Sequence, residues 1–299
     1  MKNKKQTQNL IIDANNLLHR VYWIGESRGQ SVNAVYLFLN SVKKYANMFK
    51  PNDIYLAWDS RLIKGIKNFR RLARDGQYKG TRDHERNKNV YNIEAPVHET
   101  VSLLGIKNIF PGIMEGDDVM SWLSENLPGN NVIVSVDQDF LQLVQETVSV
   151  YSPIKDIHIT NENFEEIVGV SPKDFLSYKA LIGDKSDNIP GVPKVGDKTA
   201  KKIIAAGVDT LSAEHYDTYV ENVKLMDLRI GYKSYDEEIP LYEKQIEELA
   251  KVKPDMDKFK QRCEDMNMNQ VVNNISTWSS TFSKNNAMNN IVENLLASL

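Results

Sequence analysis

The sequence predicts an α/β protein built on a central, mostly parallel sheet flanked by helices. Three observations carry this. Short apolar runs rich in β-branched residues recur along the first half of the chain, each ending in an acid: Leu10-Ile11-Ile12-Asp13, Asp53-Ile54-Tyr55-Leu56-Ala57-Trp58-Asp59 and Asn131-Val132-Ile133-Val134-Ser135-Val136-Asp137. Helical patterns separate them, over 32–49, 95–104 and 117–126. Strand-helix alternation favours a parallel sheet, and ligands of such sheets sit outside the carboxyl ends of the strands. Asp13, Asp59 and Asp137 therefore have the means to meet at one rim, although they lie far apart in the sequence.

The elements follow in order. The N-terminal residues 1–8 are basic and polar, and Leu10 to Ile12 is too short for the apolar part of a signal peptide. Residues 61–90 carry ten Lys/Arg against three Asp/Glu, an excess of +7 within a chain of net charge −3, so the remainder sums to −10. This stretch lacks an apolar stripe and is expected to be exposed and mobile. From Ser171 the pattern becomes mostly helical, with Ser171 as a cap and Pro172 at a first helical position. Further helices are expected over 198–206 and 216–228. Residues 267–294 are rich in Asn and Ser, and 287–299 form one apolar helical face that would pack on the body or dock a partner.

Length and composition bound the function. At 299 residues the chain holds one large domain or two. The single cysteine, Cys263, excludes an internal disulfide and a cysteine-rich metal site, and points to a reducing cytoplasm. No apolar run reaches a membrane span. The basic segment beside acidic clusters suits a protein that attracts phosphates and retains metal.

Nine carboxylates fall in five clusters: Asp13; Asp59; Glu115, Asp117 and Asp118; Asp137 and Asp139; Asp184 and Asp187. Taken singly, each has an ordinary explanation as a helix-start acid or a turn residue. Their shared placement at strand ends and helix starts is what points to a site. Many carboxylates without His or Cys suit Mg²⁺ or Mn²⁺ and not zinc, and two such ions can activate water and stabilise a leaving oxygen. Lys79 and Arg82 could offset charge at a scissile phosphate, and Tyr78 could stack on a base. In Ile189-Pro190-Gly191-Val192-Pro193-Lys194-Val195-Gly196-Asp197-Lys198, the glycines Gly191 and Gly196 permit close approach and positive φ. Asp197 would cap the next helix, and Lys198, Lys201 and Lys202 would line its first turns as a phosphate clamp.

These motifs resemble the flap endonuclease / 5′-3′ exonuclease family, which includes the 5′-nuclease domain of bacterial DNA polymerase I and stand-alone bacteriophage enzymes. The likeness runs from about Leu10 to Leu228. It rests on Ile11-Ile12-Asp13 with Asn16 and Arg20, Ala57-Trp58-Asp59, Tyr78-Lys79-Gly80-Thr81-Arg82, Glu115-Gly116-Asp117-Asp118, Asp137-Gln138-Asp139-Phe140 and the stretch from Gly183 to Val192. The resemblance implies a PIN-like sheet, a helical arch over the site and a helix-three-turn-helix that grips duplex DNA. On its terms residues 1–170 form the nuclease core with a basic arch at 61–95, 171–240 the hairpin region, and 241–299 a helical extension. Asp13, Asp59, Glu115, Asp117 and Asp137 or Asp139 would hold one ion, and Asp139, Asp184 and Asp187 a second, largely through water. Asp118 would support the first group, while Lys79 and Arg82 would act in catalysis. Arg20, Arg70, Arg71, Tyr78, Gly191, Lys194, Gly196, Lys198, Lys201 and Lys202 would contact DNA.

The ions would be two Mg²⁺, with Mn²⁺ as substitute, plus K⁺ on hairpin backbone oxygens. Two departures stand out: Gly116 replaces a family Ala, and Lys194 replaces a family Gly, so the turn and the K⁺ site are for the structure to decide. The implied activity is 5′-3′ exonuclease and flap endonuclease action on DNA with a 5′ flap, a 5′ end or an RNA primer. A monomer is expected, without membrane attachment, in the cytoplasm of a cell or of a bacteriophage host, with the tail offered to a replication or single-strand-binding protein. Two rivals are a related metal-dependent ribonuclease and a DNA-junction binder that does not cut; the second would lack metal acids, and none of the nine is missing.

Overall fold

A computed structural model of the chain describes residues 7–27, 34–59, 69–73, 78–79 and 88–283. Six strands form the central sheet: β1 (Gln8–Asp13), β2 (Asp53–Ala57), β3 (Lys107–Ile109), β4 (Asn130–Val134), β5 (Val148–Ser152) and β6 (Ile157–Ile159). Their spatial order is β3-β2-β1-β4-β5-β6. All neighbours are parallel except β6, which runs antiparallel to β5. The expected strands are present, but β2 ends at Ala57 and β4 at Val134. Asp59 and Asp137 consequently stand on the loops just beyond, and only Asp13 is itself a strand residue.

Strand alternation separates the two faces. Leu10, Ile12, Ile54, Leu56, Val132 and Val134 point into one core with α1 (Ala14–Ser27) and α2 (Ala34–Phe49). Ile11, Tyr55, Ala57 and Ile133 point into the other. On α2, Val35, Phe38, Leu39, Val42, Tyr45 and Ala46 recur at i, i+3, i+4 and i+7, the stripe of a helix lying on a sheet. Trp58 continues this face, stacked between Phe38 and Phe110.

The basic stretch contributes short turns of helix, α3 (Phe69–Leu72) and α4 (Lys88–Tyr91), followed by α5 (Glu94–Ser102). It is not uniformly exposed: Arg70, Tyr78, Lys79 and Val90 are all buried. Charge-rich sequence here marks ion pairing inside the protein, a source of burial that hydrophobic patterning cannot register. The remaining expectations for 61–90 fall largely outside the described residues. Opposite α1 and α2, α6 (Gly116–Asn126) lies on the second face with Val119, Met120, Trp122 and Leu123 buried.

The second half is helical: α7 (Phe164–Val168), α8 (Phe175–Ile182), α9 (Asp197–Ala206), α10 (Ala213–Met226), α11 (Leu228–Gly231) and α12 (Glu238–Leu249). A two-residue ladder, β7 (Gly183–Asp184) with β8 (Ile189–Pro190), closes the loop after α8. Gly183 has φ +78°, and a Cβ there would lie 2.2 Å from the Gly191 nitrogen, so the tight closure requires glycine. The buried Asn222 of α10 donates to Ala180 O and Pro190 O, tying α10 to α8 and the ladder. Pro172 does open a 3-10 turn, but Ser171 does not cap it through a backbone amide; its hydroxyl donates to Asp174 instead.

Helices α13 (Met256–Asp265), α14 (Asn269–Val272) and α15 (Ile275–Phe282) return to the first face. Phe259, Val271, Trp278 and Phe282 join the core of α1 and α2. The Asn- and Ser-rich composition of this stretch hides a buried aromatic row. The apolar face of 287–299 lies outside the described residues. No helix among the described residues is long and apolar enough to cross a membrane.

Candidate nuclease site

The strand order places β1 between β2 and β4, so the loops after all three strands open on one rim. Asp13 pairs in register with Ala57, while Ile12 pairs with Val134. Asp13 Oδ1 accepts from the Asn16 amide at 3.0 Å, which makes it the cap of α1 as well as a rim acid. Its Oδ2 accepts from Ser135 Oγ at 2.8 Å. Ser135 Oγ in turn accepts from the Asp137 amide, and Asp137 Oδ1 from the Asp139 amide. On the other side the Asp59 amide donates to Asn15 Oδ1, and Asp59 Oδ1 accepts from the Gly116 amide at 2.8 Å. The Asp59 carboxylate thus touches the turn that carries Glu115 and Asp117. A Cβ on Gly116 would lie 3.1 Å from the Trp58 carbonyl and 3.2 Å from Asp59 Oδ1, close enough that these neighbours would have to give by a few tenths of an ångström.

Two lysines enter the acid cluster. Lys79 is 7 % exposed, with Nζ 2.9 Å from Glu115, 3.7 Å from Asp117 and 3.9 Å from Asp187. Its backbone has φ +53°, and its amide donates to Asp187 O. Burial works against its charge, but Glu115, Asp117 and Asp187 outweigh burial and hold it protonated. Lys179 bridges Asp139 at 2.9 Å and Asp184 at 2.5 Å, and is held protonated in the same way.

Burial, and behind it the crowding of like charge, shows in the carboxyl groups. Burial, with the charges of Asp59 and Asp137, raises Asp13 to about 7 against the pull of Asn16 and Ser135. Asp137 reaches solvent at its outer edge, yet desolvation by the surrounding protein and the Asp139 charge lift it to about 6. Asp117 is pushed well up by burial and by Asp137, Asp13 and Glu115, with Lys79 opposing. Asp184 goes the other way: burial would raise it, but hydrogen bonds from Lys179 and Ser186 bring it down to about 2.

Donor chemistry here suits hard divalent ions, since the cluster offers carboxylate oxygens and no imidazole or thiol. Among the described residues no three of these acids close on one point at ion-binding spacing. Lys79 and Lys179 supply the cationic charge amid them.

Several residues singled out in the sequence have other partners. Arg70 is 1 % exposed and paired with Asp118 at 2.8 Å, so it faces the interior and not DNA. Asp118 is fully buried by the same pair, and its Oδ2 accepts from the amide of the rim residue Glu115. Tyr78 is buried with its hydroxyl donating to Glu115 at 3.2 Å, a placement that leaves no ring face for a base. Arg20 donates to the Tyr45 hydroxyl. Arg82 and the Arg71 side chain lie outside the described residues.

On the hairpin, Lys194 adopts φ +64°, a left-handed conformation that favours glycine. Gly191 is pressed against the backbone, where a Cβ would lie 2.4 Å from Ile182 O. Gly196 has φ −110° and nothing within 4 Å of a Cβ, so neither reason expected for glycine operates within the chain. Asp197 does not cap α9; it is the first helical residue and accepts from Tyr178 Oη and Lys201. Lys194, Lys198 and Lys202 are exposed on this surface.

Sequence reasoning missed Lys179, Ser135 and Glu238. Lys179 had a signal: it is the one charge in the apolar helix Phe175-Leu176-Ser177-Tyr178-Lys179-Ala180-Leu181-Ile182. Glu238, 2 % exposed, accepts from the Gly112 and Ile113 amides and from Tyr242 Oη, and so holds the loop leading to Glu115. Nothing in its local sequence marks that role.

The architecture is that of known nucleases. The bacteriophage T5 D15 protein, co-crystallised with metal ions, superposes with a TM-score of 0.65 at 18 % identity over 82 % of this chain and 99 % of that one. Flap endonuclease-1 from Methanococcus jannaschii gives a TM-score of 0.56 at 16 % identity, over 93 % and 94 % of the respective chains. Sequence comparison is more specific. Residues 8–169 match the 5′-3′ exonuclease N-terminal resolvase-like domain, and 170–278 match the 5′-3′ exonuclease C-terminal SAM fold. A 5′-3′ exonuclease of Buchnera aphidicola is 34 % identical over 77 % of this chain and 80 % of its own length. One from Aquifex aeolicus is 29 % identical over 89 % of this chain and 94 % of its own. The chain belongs to the 5′-3′ exonuclease family.

Proposed function

We propose that this 5′-3′ exonuclease is a structure-specific DNA nuclease that also cuts 5′ flaps, depends on two Mg²⁺ ions and accepts RNA primers paired to DNA. The observation that supports this best is the meeting of Asp13, Asp59, Glu115, Asp117 and Asp137 at one sheet rim, bordered by Asp139, Asp184 and Asp187. Asp13, Asp59, Glu115, Asp117 and Asp137 or Asp139 would hold one ion, and Asp139, Asp184 and Asp187 would serve the other. Bound there, the ions supply a more acidic water and neutralise charge at the leaving oxygen.

The chain's own groups do the rest. Lys79 exchanges its carboxylate contacts for the scissile phosphate and offsets charge gained in the transition state. Arg82 acts beside it. Asp13, whose carboxyl is raised to about 7, gives up its proton when a cation enters. Exposed Lys194, Lys198 and Lys202, with the open backbone at Gly196, hold duplex phosphates without reading bases. Lys201, partly engaged by Asp197, joins them, and a K⁺ ion on the hairpin carbonyls belongs to the same reading. A replication or single-strand-binding partner for the tail and a cytoplasmic setting complete it.

Cleavage of a 5′-flap DNA with Mg²⁺, and of a matched RNA flap, is the test. Cleavage of the DNA flap should require Mg²⁺, stop with EDTA, and be lost in Asp117→Ala and Asp139→Asn. Undiminished cutting by both variants would contradict the assignment of these acids, and preference for the RNA flap would make the protein a ribonuclease.

A further inference from the structure

Arg70 and Asp118 form a fully enclosed ion pair whose partners come from three parts of the chain. Arg70 Nη1 lies 2.8 Å from both Asp118 oxygens. Its Nε donates to Leu225 O at 3.0 Å, and Nη2 to Asp227 O at 3.1 Å. All three guanidinium nitrogens are thereby engaged. They join α3, at the root of the basic segment, to the first turn of α6 and to the end of α10. Asp118 in turn accepts from the Glu115 amide at 3.1 Å, fixing the backbone between the two rim acids Glu115 and Asp117.

Gly231 supplies independent evidence that this pair is accommodated on purpose. Its φ of −52° is open to any residue. Yet a Cβ there would lie 1.6 Å from Asp118 Oδ1 and 2.6 Å from Arg70 Nη2. Glycine at 231 makes room for the ion pair and serves no backbone need. A buried pair recovers little net stability over a well-packed apolar pair, because desolvation opposes the Coulomb attraction. Stability alone is thus a weak reason for this arrangement; geometry at Glu115 and Asp117 is a stronger one.

We propose that Arg70 is a positioning residue of the nuclease site: acting through Asp118, it locks the opening turn of α6 to the end of α10 and so sets Glu115 and Asp117 for divalent-ion binding. The inference rests on the rim binding such ions, as proposed above. Its consequence is that the helical unit, which carries the hairpin, also determines the geometry of acids supplied by the sheet domain. Lysine cannot replace this guanidinium, since one ammonium cannot span Asp118 and two carbonyls in the same planar fork.

The test is a titration of the full chain with Mn²⁺ alone, followed by electron paramagnetic resonance in the absence of DNA. Arg70→Lys and the double variant Arg70→Met/Asp118→Leu should each bind Mn²⁺ about 10–100-fold more weakly than the parent, the range for losing a group that orients metal ligands. Binding of flap DNA in EDTA should be unchanged, and cleavage should partly recover at high Mn²⁺. The double variant guards against a folding failure, because an apolar pair of similar volume can replace a buried ion pair. Parental Mn²⁺ affinity in either folded variant would overturn the positioning role. Failure of the parent chain to bind Mn²⁺ or cut the flap would instead overturn the functional reading on which it rests.

Discussion

The two halves of the acid cluster carry cations differently. Around Lys79, burial and the neighbouring acids of the sheet rim push Asp13 and Asp117 up, Asp13 to about 7. Around Lys179, Asp184 is brought down to about 2. Both halves hold one lysine, so the lysine is not the difference. The rim collects carboxylates from β1, the loop after β2, α6 and the loop after β4 in a buried setting, and desolvation, with their mutual repulsion added, outweighs the pull of Lys79 on Asp117. Asp184 also receives the Ser186 amide and hydroxyl. The rim half is therefore short of positive charge and the Lys179 half is nearly balanced. A divalent ion should enter the rim first and more tightly.

The largest effect expected from this contrast is at Lys79. Lys79→Ala should lower kcat about 10²–10³-fold, as for loss of one transition-state charge contact, with little change in DNA affinity; single-turnover kinetics beside a binding isotherm will separate the two. Unchanged turnover would make Lys79 a structural cation only. A second effect is on pH. Carboxyls raised in the folded protein stabilise it when protonated, so the contribution of Asp13 and Asp137 is present below the ordinary value of 3.8 and is lost as pH rises through about 6 to 7. The ion-free protein should accordingly melt lower at pH 8 than at pH 5 on account of these groups, and Mg²⁺ should close that gap. Mn²⁺ affinity should fall as pH drops below about 7, because protons compete for the same oxygens.

Asp184 has the opposite sign. Its contribution is present above 3.8 and is lost as pH falls toward about 2, so Lys179→Met should leave the pH 5–8 behaviour intact and move the Asp184 carboxyl upward, which carbon-detected NMR titration can follow. Both side chains are mostly covered, 13 % and 12 % exposed, so loss of the pair should cost more than the roughly 1 kcal/mol of a surface ion pair. The smallest effect is expected at Gly116→Ala, where the new methyl sits 3.1 Å from the Trp58 carbonyl. Small-to-large strain of about 1 kcal/mol and a slight displacement of Asp59 should follow, read as a lower melting temperature. An unchanged melting temperature would show that the Trp58–Asp59 turn yields freely.

Much of this was legible in the sequence because it depends on local pattern. The apolar runs before Asp13, Asp59 and Asp137 gave the strands, and parallel order did the rest in bringing those acids together. The roles of Arg70, Tyr78 and Lys79 were less legible: in a charge-rich segment, sequence does not distinguish a cation that faces phosphate from one that faces a buried carboxylate. Lys179 and Glu238 act across the junction of the two domains, at separations no local pattern encodes. Lys194 taught a complementary lesson, since a non-glycine residue keeps the left-handed turn at modest strain.

The most direct measurement is anomalous diffraction from a crystal of the full chain soaked in Mn²⁺. The account predicts Mn²⁺ between Asp13, Glu115 and Asp117, with the Lys79 ammonium withdrawn from Glu115. Manganese bound elsewhere, while Lys79 keeps its contacts to Glu115, Asp117 and Asp187, would contradict it.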